Sequence, residues 1–134
     1  MPLEVRIDSE RELIYAGGKG LVTDQDLLAY IRKYLQEEDF SGYDEFFDFS
    51  EADLLDLTYT GLADVASAAA ATDSETKPTK IAILVSEASG MGLSRMYQVL
   101  REDKGGSRRI RLFWDRQECL DWLGLDESGE TPSP

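Results

Sequence analysis

A chain of 134 residues without a histidine lacks the commonest general base and transition-metal ligand, which excludes Ser-His-Asp and Cys-His devices and histidine zinc sites. Its formal charge of −13 argues against nucleic acid or an anionic membrane as partner. One cysteine excludes an intrachain disulfide, while 42% apolar and 31% charged residues suit a single folded domain with a proper core.

The opening residues lack the apolar stretch of a signal peptide, and no apolar run approaches the roughly 18 residues that span a bilayer. A cytoplasmic protein with no integral membrane segment is expected. Leu3, Val5 and Ile7 alternate with Glu4, Arg6 and Asp8, the period of a half-buried strand. After the polar break Ser9-Glu10-Arg11, strand character resumes from Leu13 to Ala16, so the pair reads as an antiparallel hairpin. Gly17-Gly18-Lys19-Gly20 is expected to end the second strand. It lacks the spacing of a Walker loop, and Leu21 follows it, so permissive backbone explains it better than phosphate binding.

Thr23 with Asp26 three residues on forms an approximate capping box, and Leu27, Leu28, Ile31, Tyr34 and Leu35 give the apolar face of a helix ending near Glu38. Phe46, Phe47 and Phe49 mark an interior strand that Asp48 interrupts; the acidic stretch from Ser50 to Leu57 reads as a loop. Thr60 is then placed as the N-cap of a second helix carrying Leu62, Val65, Ala66 and Ala69, with the alanine run favouring helix.

Ile81 to Val85 is continuously apolar, as a parallel strand covered on both faces should be. A loop from Ser86 to Gly92, a third helix through Leu93, Met96, Tyr97 and Leu100, and a turn at Lys104–Ser107 follow. Ile110, Leu112 and Trp114 mark a last strand. Asp115 caps a final helix closed by Gly124, in which Cys119 reads as a small buried apolar residue. Residues 126–134 are acidic and rich in Ser, Pro and Gly, composition expected of a mobile tail on a domain spanning residues 1–125. The expected order is β-β-α-β-α-β-α-β-α, an α/β fold whose mixed, mostly parallel sheet is packed with helices.

Three segments carry a family resemblance: Phe46–Ser50 with Leu57–Leu62, Ile81–Val85 with Gly92–Tyr97, and Leu112–Asp115 through Cys119–Leu123. Their order and spacing resemble the SpoIIAA-like superfold of STAS domains and the neighbouring STAS/SEC14-like group. In anti-sigma-factor antagonists of that group, a turn reading Asp-Ser-Ser/Thr-Gly at a helix start carries a phosphorylated hydroxyl that switches partner binding. Laid on this sequence, Thr58 stands at the Asp, Tyr59 at the phosphorylated hydroxyl, Thr60 at the next hydroxyl and Gly61 at the Gly. The customary serine is absent, and Thr60 keeps a hydroxyl near the helix start. The resemblance implies a non-catalytic regulatory module without a cofactor, whose partner is a protein such as a regulatory kinase or an anti-sigma-like factor.

Physics supports the same end of the molecule, because a phosphate at a helix start meets free amides and the positive end of the helix dipole. An ordinary cap at Thr60 is the plainer reading. Ser89, Gly90 and Gly92 follow the best strand and Arg95 lies one turn on, where open α/β sheets bind ligands, although the dinucleotide fingerprint is unmet. Asp48, Glu51, Asp53 and Asp56 lack the EF-hand spacing and read as solvated acids sooner than as a metal site or an acid/base pair. The basic residues Arg95, Arg101, Lys104, Arg108, Arg109 and Arg111 read as solvated faces sooner than as a patch. Tyr59, Met91, Met96, Tyr97 and Trp114 could instead line an apolar pocket, the basis of a competing reading as carrier of a small apolar or amphipathic ligand.

Overall fold

Side chains alternate across a strand, so Ile81 and Ile83 face one way and Ala82 and Leu84 the other; all four are buried, which requires helices on both faces of the sheet. The computed structural model describes residues 3–38, 40, 42–56, 58–72, 79–86, 98 and 108–125. Five strands lie in sequence order: β1 (Leu3–Asp8), β2 (Leu13–Thr23), β3 (Asp44–Asp56), β4 (Thr79–Leu84) and β5 (Arg108–Phe113). β1 is antiparallel to β2, and every other neighbouring pair is parallel.

Helix α1 (Asp24–Tyr30) continues directly into a π-helix (Ile31–Glu37), α2 spans Tyr59–Ala70, and α3 spans Arg116–Leu123. Leu27 and Tyr30 of α1, Ile31 and Leu35 of the π-helix, and Val65 and Ala69 of α2 pack on Ile14, Phe47, Phe49, Ile83 and Ile110 of the sheet. On the opposite face, Cys119, Leu120 and Leu123 of α3 pack on Phe46, Ala82, Leu84 and Phe113. The hairpin, the capping box of α1, the Asp115 cap and the left-handed Gly124 that ends α3 stand as the sequence predicts. The π-helix does not: the Glu38 amide donates to the Lys33 carbonyl, five residues back, at 3.0 Å, a widened turn that apolar spacing alone did not signal.

Two further segments differ from the sequence reading. The glycines at 17–20 do not end β2; the strand runs on to Thr23 through register shifts between Gly17 and Lys19 and between Gly20 and Leu21. Gly20 has a φ of +66°, so the bulge is built on a conformation that other residues adopt at a cost. The acidic stretch after Ser50 is not a loop either. β3 continues to Asp56, paired in parallel with β2 from Glu51 opposite Lys19 to Asp56 opposite Thr23. The predicted third helix and the turns around it lie outside the described residues, apart from a helical Gln98; so does the acidic tail. Among the described residues, no helix is long and apolar enough to cross a membrane.

Candidate functional site

Because β2 and β3 run parallel and end in register at Thr23 and Asp56, the helices that follow them begin side by side. Thr23 caps α1: its hydroxyl accepts from the Asp26 amide at 3.4 Å, and the Asp26 carboxylate accepts from the Thr23 amide at 2.9 Å. Thr58, not Thr60, caps α2. Its backbone is extended and its Oγ1 accepts from the Gly61 amide at 2.9 Å. The expected cap at Thr60 is therefore corrected by two residues: Thr60 stands inside the first turn, exposed.

What fixes this register is Asp24. From the start of α1 its Oδ2 reaches the start of α2 and accepts from the Thr58 hydroxyl at 3.3 Å and the Thr58 amide at 3.5 Å. A carboxylate there lies at the positive end of both helix dipoles. Gly61 makes the approach possible, because a Cβ on it would stand 1.9 Å from Asp24 Oδ2. The anion position at the head of α2 is thus filled by the protein's own carboxylate. Asp24 Oδ1 is buried without a hydrogen-bond partner. Tyr59 opens α2. Ser89, Gly90, Gly92 and Arg95 lie outside the described residues, as do Met91, Met96 and Tyr97. Trp114 is 53% exposed and lies beyond the end of β5.

A second cluster, not foreseen as a unit, centres on Asp48. Its carboxylate is buried in β3 and gathers donors from three other positions. Tyr15 donates its hydroxyl to Oδ2 at 3.0 Å, Arg116 donates to Oδ2 at 2.7 Å, and the Ser50 hydroxyl and amide donate to Oδ1 at 2.5 and 3.0 Å. Burial pushes the Asp48 carboxyl up, but the Ser50 bonds, the Tyr15 hydroxyl and the Arg116 charge outweigh it and hold the group below the ordinary Asp range. Burial and the Asp48 charge push Tyr15 the other way, above the usual phenol value. The one local signal for this cluster is a carboxylate interrupting a phenylalanine run.

The same charge acts on Cys119. Burial, followed by the nearby Asp48 carboxylate, pushes its thiol up to about 12, which leaves almost no thiolate at neutral pH. In the native protein at pH 8, an aromatic disulfide reagent is expected to label Cys119 on the order of a thousandfold more slowly than in denaturant. Comparable rates in the two states would contradict the buried placement. Among the described residues no group of Cys, Asp and Glu is arranged to hold a metal ion. Asp48 is committed to its donors, and Glu51 is exposed and faces Lys19 at 4.0 Å.

In sequence, the chain matches no family model and no curated protein. In structure it is similar to an uncharacterized protein of the DUF3478 family with a SpoIIAA-like fold from Shewanella loihica PV-4. The two share 16% sequence identity with a TM-score of 0.53, over 90% of this chain and 91% of the other. The fold is accordingly SpoIIAA-like, a single α/β unit with a mostly parallel five-stranded sheet.

Proposed function

We propose that this chain is a non-catalytic, cytoplasmic regulatory module of the STAS kind, which docks a protein partner through the sheet end where α1 and α2 begin. The turn expected from Ser89 to Arg95 lies outside the described residues. The observation that carries this reading is the division of labour between the two threonines. Thr58 spends its hydroxyl on capping α2, while Thr60 is exposed and its hydroxyl has no partner among the described residues. A modifying enzyme can reach Thr60 without unmaking the cap.

A phosphate on Thr60 would add roughly −1.5 to −2 charges to a helix start that Asp24 already occupies. The two anions would compete for the same amides, so the modification acts by repulsion and loosens the α1–α2 junction that a partner would read. In a pull-down, wild-type protein and Thr60→Ala are expected to retain the same partner, and Thr60→Glu to lose it. Identical recovery by all three would end the switch proposal, and a partner bound through the opposite end of the sheet would end the docking assignment.

A further inference from the structure

Helix α3 packs mainly on β4 and β5, so it covers only part of its face of the sheet. Arg6, Tyr15, Phe46, Ala82 and Arg111 form one row across the five strands on that face. Toward β1 the row opens into a groove of about 420 Å³ lined by Arg6, Arg11, Tyr15, Phe46, Arg116 and Leu125, among others. That volume lies within the range that holds a small organic ligand.

The floor is aromatic: the Tyr15 and Phe46 rings meet edge to face with centroids 5.4 Å apart. A guanidinium lies over each ring, Arg6 at 4.4 Å from the Tyr15 centroid and Arg116 at 5.2 Å from that of Phe46. Weakly hydrated guanidinium groups stacked on rings are well placed to receive a planar anion.

The charges select the anion. Arg116 is paired with Asp48 and Arg11 with Asp8, whereas Arg6 has no carboxylate partner among the described residues. Asp8 and Glu10 also border the groove and penalise a second negative charge. We propose that this groove binds a small amphipathic monocarboxylate, its carboxylate held by Arg6 and the exposed part of Arg116, its apolar body on Tyr15, Phe46, Leu13 and Leu125. The site lies apart from the α1–α2 junction, so it stands or falls independently of the docking surface.

The test titrates the full chain with decanoate, decan-1-ol and decyl phosphate, each below its aggregation threshold, while amide NMR shifts are recorded. Decanoate should give saturable shifts at Arg6, Tyr15, Phe46 and Arg116, with the alcohol and Arg6→Gln each weakening binding roughly tenfold or more. Arg6 is exposed and gives up only its stacking on Tyr15, so the variant should melt within about 5 °C of wild type. Equal affinity for acid and alcohol would overturn the proposal, as would tighter binding of the phosphate dianion. So would full affinity in Arg6→Gln, or shifts confined to the smaller apolar hollow at Leu3, Val5 and Tyr34.

Discussion

Gly61→Ala is expected to destabilise the protein by about 2 kcal/mol, the range of overpacking at a site that cannot yield freely. Alanine is ordinarily the better helix residue by up to about 1 kcal/mol, so the sign here rests on a steric fact: the new Cβ would meet Asp24 Oδ2 at 1.9 Å and its Cγ at 2.2 Å. Either the carboxylate swings away, giving up both bonds to Thr58, or the head of α2 shifts from α1. The double-mutant cycle separates this from a local helix effect. In an Asp24→Ala background the obstacle is gone, and Gly61→Ala should become neutral or stabilising by up to about 1 kcal/mol. Urea unfolding of the four proteins measures the coupling. Additive effects would mean that Asp24 and Gly61 do not touch, and the geometry on which the docking surface rests would be wrong.

That pair also shows where sequence reading stops. β4 was legible because burial on both faces leaves Ile81 to Leu84 without a polar position. Thr23, Asp115 and Gly124 were legible because caps are local chemistry, complete within four residues. The choice between Thr58 and Thr60 as cap is not local. Thr58 is supported by a carboxylate 34 residues away in sequence, and no window around the helix start contains it. The reach of β3 was hidden for a related reason. Beyond Asp48 it is paired with β2, its exposed Ser50 and Glu51 have the composition of a loop, and the glycines of β2 opposite look like strand breakers. Together they form a bulged parallel pair that neither segment announces alone. The Asp48 cluster draws on Tyr15 and Arg116, 33 and 68 residues distant, so sequence could flag the odd carboxylate but not its partners.

Those partners make Asp48 the position where a single substitution should move both stability and its pH dependence. Asp48→Ala removes the acceptor for Tyr15, Ser50 and Arg116 at once. A hydrogen bond to a charged group contributes about 1.5–3 kcal/mol, and buried donors are left unanswered, but the Arg116 side chain is 45% exposed and regains water. A loss of about 3 kcal/mol is therefore expected, against about 1 kcal/mol for Tyr15→Phe. The pH dependence has a definite sign. The carboxyl is lowered on folding, so the folded state binds its proton less readily than the unfolded state. Its contribution is fully present above the unfolded Asp value of about 3.9 and disappears as pH falls through the lower folded value. Asp48→Asn, which keeps the shape, should lie below wild type at pH 7, and the gap should close as both proteins are taken below pH 4. Arg116→Met should displace the acid limb to higher pH, because Asp48 then loses the charge that helps hold it ionised. A gap between Asp48→Asn and wild type that persists unchanged from pH 7 to pH 2 would show that the carboxylate's charge does not stabilise this fold.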